Sequence, residues 1–167
     1  TLDTQIRDSL PDHDRVLAHS IKNSRRVVTG FVLKQDDLKQ RAPFVRYSAP
    51  QDLQLARLPE YPSAVTNLPI LEKAAAGNGF FNTNLDRDNV IRRIPLLMRH
   101  REQVYFSLAA ETLRIVHGAS TYQVKVRKPS VFARGGIEAI RISDALPWIP
   151  TDETGHLWMH YRKTNWE

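Results

Sequence analysis

The chain has 167 residues, of which 41% are hydrophobic and 25% are charged. This length and balance fit one globular domain with a core of its own and exclude extended disorder. The sequence contains no cysteine, which excludes disulfides, thiolate metal sites and cysteine nucleophiles.

The formal net charge is +6, and a basic surface can bind nucleic acid or an acidic membrane. The lysines and arginines are scattered between Arg7 and Lys163 without a dense run, so we predict a solvated basic surface and no nucleic-acid partner. No run approaches the roughly 20 apolar residues of a membrane span, and no stretch of these 167 residues has the pattern expected of a signal peptide. The chain starts at Thr1 without a methionine, and we expect it to be a piece of a longer protein.

The first predicted element is a short helix within LPDHDRVLAHSIKNS, with Asp12 as its N-cap. The apolar, β-branched run in RRVVTGFVLKQ then predicts a buried strand. Residues 36–63 are polar and punctuated by prolines, which predicts a long loop of the kind that often carries function. A second helix is predicted in NLPILEKAAAGNG, capped by Asn67 and ended by a left-handed Gly77.

The next segment predicts a β-hairpin, with strands in GFFNTN and VIRRIPLLMRH joined by a tight turn at Asp88 and Asn89. After a second turn at REQ, VYFSLAAETLRIVHG predicts the strongest helix of the chain, ended by Gly118. Its predicted apolar face comprises Phe106, Ala109, Ala110, Leu113 and Val116. Further strands are predicted in TYQVKVRK, EAIRIS and HLWMHYR, separated by turns at RGG and DETG. Alternation of helices and strands indicates an α/β sandwich, a mixed sheet flanked by helices with a β-hairpin and additional C-terminal strands.

The glycine-rich stretch GNGFFN resembles a dinucleotide-binding loop but fails as one. Asn82 replaces the third glycine, and the stretch follows a helix and precedes a strand, whereas a pyrophosphate needs the reverse order. We therefore predict no cofactor.

The following stretch, NLDRDN, places Asn84, Asp86 and Asp88 at alternate positions, as in the first half of a calcium loop. Pro95 stands where the bidentate acid belongs, so we predict no metal site and a polar row of Asn82, Asn84 and Asp86 along a strand. Arg92 and Arg93 are candidates for clamping an anion. Because adjacent strand residues point to opposite faces, we expect at most one of them to line any given pocket. The favoured alternative is structural, with one arginine in a salt bridge and the other solvated.

The central block, AAAGNGFFNTNLDRDNVIRRIPLLMRH followed by VYFSLAAETLRI, resembles the type 2 CHASE domain family. PDHDRVLAHSI and GHLWMHYR resemble the flanking parts of that family. Asn89 stands where the family usually has glycine, which an asparagine turn tolerates. The matching residues of the central block are Gly77, Asn82, Asp86, Asp88, Arg92, Arg93, Pro95, Leu96, Ser107, Leu108 and Ala109.

The resemblance implies one sensory domain over residues 1–167, corresponding to the central and later part of the family's domain without its first strands and helices. It implies an extracytoplasmic location in a bacterial membrane receptor, with flanking membrane helices and a cytoplasmic output such as a nucleotide cyclase, diguanylate cyclase, histidine kinase or Ser/Thr kinase. The family brings no catalytic residues. The implied partners are a small-molecule or protein signal, the membrane and a second copy of the chain.

The candidate ligand-binding residues are Asn82, Asp86, Asp88, Arg92 and Arg93, together with the loop at 36–63. The alternative is a structural role for the same residues, as a tight turn anchored by Ile94 and Leu96. Two other classes of function also remain, a soluble α/β enzyme or nucleotide-binding domain and a basic nucleic-acid-binding domain. The broken glycine motif and the dispersed charge count against them.

Overall fold

The structure is a computed structural model that describes residues 12–36, 40–48, 53, 57–83, 86–131 and 135–161. Three helices lie in this part of the chain, α1 (His13–Ser24), α2 (Pro69–Ala74) and α3 (Leu108–Val116). The strands are β1 (Val28–Lys34), β2 (Ser63–Val65), β3 (Gly77–Phe80), β4 (Arg93–Pro95), β5 (Leu97–His100), β6 (Gln103–Phe106), β7 (Gln123–Arg127), β8 (Gly136–Arg141), β9 (Ile149–Pro150) and β10 (His156–Trp158).

The strands of the described residues form four small sheets, and the α/β class is confirmed. The mixed sheet has the order β2-β1-β3, with β2 antiparallel and β3 parallel to β1. β7, β8 and β9 form an antiparallel sheet, while β5 pairs with β6 and β4 pairs with β10. Helix α3 packs on β3 and β1, and α1 contacts α2.

Several predicted caps and turns are confirmed. The side chain of Asp12 accepts a hydrogen bond from the backbone N–H of Arg15 and caps α1. Asn89 and Gly118 adopt positive φ angles of 61° and 62°, as their turns require. The DETG turn is closed by a hydrogen bond from the N–H of Gly155 to the carbonyl of Asp152.

The hairpin predicted from GFFNTN and VIRRIPLLMRH is wrong. β3 pairs in parallel with β1, and the following segment splits into β4, which pairs with β10, and β5, which pairs with β6. The end of the second predicted strand instead forms a hairpin with the segment that follows it, as β5–β6. Local sequence indicates where the strands are, but the choice of partner depends on contacts between distant segments.

The ends of α2 also differ from prediction. Leu68 is the N-cap, and the side chain of Asn67 instead donates to the backbone carbonyl of Gly30 at 2.8 Å. The helix ends at Ala75 in an extended conformation, so that Gly77 is not a left-handed cap but the first residue of β3. Asn67 and Gly77 serve contacts with distant parts of the chain, which local capping rules do not register.

Helix α3 begins later than the periodicity suggested, and it buries a different face. Phe106 ends β6, and the side chain of Ser107 caps the helix. Of the predicted apolar face, Ala110 is buried as expected, but Ala109 is exposed, Leu113 is 41% exposed and Val116 is 72% exposed, so most of that face is wrong. The buried residues include Glu111 and Arg114, which neutralise each other beneath the helix.

The core consists of two hydrophobic clusters on either side of the β5–β6 hairpin. Leu97 and Phe106 face the cluster shared with α3 and the β7–β8 strands, whereas Met98 and Tyr105 face the cluster shared with β1 and β3. The alternation follows the two-residue period of a strand. Val45, which lies between β1 and β2 along the chain, packs against both clusters.

Candidate functional site

Residues 86–93 form an exposed turn, referred to below as the charged turn, that connects β3 to β4. The N–H of Asn89 donates to the carbonyl of Asp86 at 2.9 Å, and the N–H of Asp86 donates to the carbonyl of Val90 at 3.1 Å. Because Asn89 tolerates the left-handed conformation, the chain reverses here and brings Asp86 and Asp88 back toward Arg92 and Arg93.

Four of the five charged side chains of this turn form a connected set of ion pairs. Arg92 binds both carboxylate oxygens of Asp88, at 2.8 and 2.6 Å, and reaches Asp86 at 3.3 Å. Arg93 binds the other oxygen of Asp86 at 3.0 Å. The paired geometry between Arg92 and Asp88 is the bidentate arrangement that guanidinium and carboxylate groups favour.

The two arginines were expected to point in opposite directions, with one of them solvated. This expectation is wrong, since both pair with Asp86. Strand alternation does not apply to Arg92, because β4 begins only at Arg93. The result is a compact surface in which two positive and two negative side chains hold one another in place.

The ion pairs change the acidity of both carboxyl groups. The hydrogen bonds from Arg92 lower the pKa of Asp88 to about 2. The pKa of Asp86 is lowered by Arg93 first and by Arg92 second. Both carboxylates therefore stay ionised well below neutral pH, although their exposure to water limits how much these pairs add to stability.

Aromatic residues from the end of the chain flank the charged turn. Trp158 of β10 lies opposite Arg93 of β4, and the guanidinium of Arg93 sits 5.6 Å from the centre of the indole ring. The N–H of Met159 donates to the carbonyl of Arg92 at 2.8 Å, and the hydroxyl of Tyr161 donates to the carbonyl of Ile91. Trp158 is 53% exposed and Tyr161 is 65% exposed.

Sequence reasoning missed Trp158 and Tyr161 as neighbours of the charged turn. They lie about 65 residues further along the chain, and β4 and β10 are too short for their pairing to be read from a pattern. The available signal was a tryptophan, a methionine, a tyrosine and an arginine close together in HLWMHYR, residue types that are enriched at interfaces.

Asn82 does not share the role of the other candidates. Its amide oxygen accepts from the N–H of Leu33 at 2.9 Å, and its amide nitrogen donates to the carbonyl of Leu33 at 2.7 Å. The side chain thus continues the pairing of β1 with β3 beyond the end of β3. Its amide is used within the scaffold, and Asn84, the other member of the predicted polar row, lies outside the described residues.

The glycine-rich stretch is part of β3 and is packed against α3. A Cβ atom at Gly77 would lie 2.3 Å from Oε1 of Glu111, and one at Gly79 would lie 2.6 Å from Cα of Leu108. The glycines are therefore spacers between strand and helix, not a loop around a phosphate. Across the described ranges there is also no group of three or more histidine, aspartate or glutamate side chains that could hold a metal ion.

A second set of charges lies beneath α3 and was not anticipated. Arg114 donates to both carboxylate oxygens of Glu111, at 2.8 and 2.7 Å, and the hydroxyl of Tyr122 donates to the same carboxylate at 2.5 Å. Burial, and then the negative charge of Glu111, raises the pKa of Tyr122 far above its usual range. Since the carboxylate of Glu111 is fully enclosed, this network holds α3 to the scaffold and offers no surface for a ligand.

Comparison of the sequence with known proteins identifies a family. Residues 1–166 match the CHASE2 domain. Neither curated proteins nor solved structures gave a significant match. No helix within the described part of the chain is long and apolar enough to cross a membrane. The match spans nearly the whole sequence, and the chain therefore belongs to the CHASE2 domain family, a family of extracytoplasmic sensory domains found in signalling receptors.

Proposed function

We propose that the chain is the sensory, non-enzymatic part of a bacterial transmembrane receptor and that the charged turn with its two aromatic neighbours is where it recognises its signal. Membership of the CHASE2 family is the observation that carries the receptor assignment. In the receptor, membrane helices flank the chain, and a cytoplasmic cyclase or kinase supplies the output.

Three features of the charged turn support its role in recognition. Arg92, Arg93 and Asp88 are exposed and Asp86 is partly buried, and their ion pairs fix their positions before any partner arrives. The accompanying side chains, Trp158, Tyr161 and Arg93, are of the three types that contribute most binding energy at protein interfaces. A surface with this composition fits a protein signal or a small molecule with an aromatic or charged group.

The signal acts by shifting a population. If the receptor exists in two arrangements, a ligand that binds one of them better favours it in proportion to the difference in affinity. A tenfold change in output requires a difference of about 1.4 kcal/mol between the two arrangements. One or two side chains of the charged turn suffice for such a difference.

The receptor assignment is tested with the full-length parent protein. Reporter enzymes that are active only outside the cytoplasm are fused next to this chain and next to the output module. We expect activity from the first fusion and none from the second. A parent protein without membrane helices, or a fusion beside this chain that reports a cytoplasmic location, contradicts the assignment.

The role of the charged turn is tested by the variants Arg93→Gln and Trp158→Ala in the same receptor. Both side chains are exposed, so we expect folding to be retained and the dose–response curve of the output to move. The matched control is Arg127→Gln, which removes an exposed arginine paired with Glu138 on the β7–β8 strands. If all three variants respond like the wild type, recognition does not take place at the charged turn.

A further inference from the structure

An open groove lies between the end of α1 and the C-terminal half of α3, away from the charged turn. It has a volume of about 670 Å³, within the range of about 300–1,000 Å³ that is common for small-molecule sites. The groove shares no lining residue with the charged turn. Its lining includes Arg25, Arg26, Val28, Thr112, Ile115 and Val116.

One wall of the groove is apolar and comes from two elements. Thr112, Ile115 and Val116 are spaced three and four residues apart on α3, so their side chains share one face of the helix. Val28 opens β1 on the other side. Val116 is 72% exposed, which leaves its methyl groups available to an apolar group in the groove.

The rim of the groove carries two positive charges, those of Arg25 and Arg26. The guanidinium groups of Arg25 and Arg26 have no hydrogen bond, ion pair or ring contact within the described part of the chain. This distinguishes them from Arg92, Arg93 and Arg114, each of which binds a carboxylate. The planar guanidinium of an arginine matches a carboxylate or a phosphate, and two arginines border this groove.

The backbone at Arg25 gives a second indication. Arg25 adopts a left-handed conformation with φ of 54° at the C-terminal cap of α1, a position where glycine is the residue that fits best. An arginine there gives up local stability and places a cation at the rim of the groove. The neighbouring Arg26 is held by a hydrogen bond from its N–H to the hydroxyl of Ser24, at 3.4 Å.

From these observations we propose that the groove binds a small amphipathic anion, with its carboxylate or phosphate on Arg25 and Arg26 and its apolar body along Val28, Ile115 and Val116. The charges select the anionic head, and the apolar wall selects for a chain or ring attached to it. The free molecule and the headgroup of an anionic lipid share this chemistry, and we assign the groove to the free molecule because an apolar wall long enough for a short chain lies directly beside the charged rim. The site does not depend on the charged turn or on the nature of the receptor's output.

The test is a calorimetric titration of the purified chain with octanoate and, separately, with its uncharged counterpart 1-octanol. We expect octanoate to bind and 1-octanol to bind much more weakly. The double variant Arg25→Gly with Arg26→Gln is expected to weaken octanoate binding by about tenfold or more, because it removes both charge-assisted contacts. Glycine suits the left-handed position, so the double variant is expected to fold as well as the wild type, which a thermal melt verifies.

The control variant is Lys128→Gln, which removes one exposed positive charge after β7. It is expected to bind octanoate like the wild type, which separates recognition in the groove from the general effect of net charge. An arm with vesicles of phosphatidylglycerol and phosphatidylcholine distinguishes a free anion from a lipid headgroup. Four outcomes would each overturn the proposal. The first two are that octanoate does not bind and that 1-octanol binds as tightly as octanoate. The other two are that the double variant and Lys128→Gln lose the same octanoate affinity and that the chain binds the vesicles in preference to octanoate. If Arg25 and Arg26 only stabilise the end of α1, the double variant will have a changed melting temperature but will bind octanoate like the wild type, which also contradicts the proposal.

Discussion

The absence of a side chain at Gly77 makes room for the carboxylate of Glu111. A Cβ atom at position 77 would lie 2.3 Å from Oε1 of Glu111 and 2.8 Å from its Cγ. The carboxylate has no space to retreat, because Arg114 and Tyr122 hold both of its oxygens. The first glycine of the GNGF stretch thus leaves the space that the buried ion pair of α3 occupies.

The substitution Gly77→Ala is therefore expected to destabilise the protein by about 3 kcal/mol, since it overpacks the interface and disturbs a buried ion pair. The free energy of unfolding in urea measures this loss. The matched control is Gly118→Ala. No atom approaches the Cβ position of Gly118, whose φ is 62°, so only the backbone term of about 1 kcal/mol is expected there. Equal losses in the two variants would show that Glu111 adjusts freely.

The hydrogen bonds of Glu111 predict which of two further substitutions lowers the free energy of unfolding more. Glu111→Gln removes the negative charge and leaves the guanidinium of Arg114 buried without a charged partner, for which we expect a loss of about 3–5 kcal/mol. Tyr122→Phe removes only one hydrogen bond, because Glu111 keeps both of its bonds to Arg114, and we expect a loss of about 1–2 kcal/mol. Chemical denaturation of the two variants in parallel decides the order. A larger loss for Tyr122→Phe would contradict it.

The ion pairs of the charged turn predict a pH dependence at low pH. Arg92 lowers the pKa of Asp88 from 3.8 to about 2 in the folded protein. The unfolded chain thus takes up protons at a higher pH than the folded one. The stabilisation by Asp88 is fully present above the unfolded pKa and is lost as the pH falls through the folded pKa of about 2.

The pKa values of the two carboxyl groups are measured by NMR titration of their side-chain carbons, with circular dichroism at each pH to verify folding. Arg92→Gln is expected to raise the pKa of Asp88 toward its usual value. Arg93→Gln is expected to raise the pKa of Asp86, since Arg93 is the main cause of its shift, while Asp88 keeps its low pKa. If Arg92→Gln leaves the titration of Asp88 unchanged, the bidentate pair does not form in solution.

Asn82 was a candidate ligand-binding residue, but its hydrogen bonds predict that its replacement lowers the stability of the fold. Asn82→Ala removes both hydrogen bonds to Leu33, and we expect a loss of about 1–3 kcal/mol. Asn82→Asp is expected to cost at least as much, because it places a carboxylate against the carbonyl of Leu33, which needs a donor. The neighbouring Thr83 is exposed, and Thr83→Ala serves as the control, with an expected change within about 0.5 kcal/mol. Urea unfolding of the three variants provides the comparison, and similar values for all three would contradict a scaffold role for Asn82.

Much of the local structure could be read from the sequence, because its causes are local. The cap at Asp12, the left-handed turn at Asn89 and the helix end at Gly118 each depend on a few neighbouring residues. The same holds for most helices and strands, whose apolar spacing shows in the printed sequence. The motifs of the central block also pointed to the CHASE2 family, which the match over residues 1–166 confirms.

The pairing of the strands could not be read in this way. β3 lies beside β1 rather than beside the segment that follows it, and β4 meets β10 across about 60 residues of chain. The energy of these pairings comes from side chains that meet only in the folded protein. For the same reason the inward face of α3 was misread, since Glu111 and Arg114 are buried as a pair and neither would be buried alone.

For the candidate site, the sequence alone determined which charged residues gather at residues 86–93, because a tight turn brings neighbours together regardless of the rest of the fold. Only the tertiary structure decided that both arginines pair with Asp86, that Trp158 and Tyr161 join them, and that Arg25 and Arg26 border a groove with α3. The physical reason is the distance along the chain over which each kind of interaction acts. Turn and cap preferences act over a few residues, whereas burial and charge pairing depend on which distant segments the whole chain brings into contact.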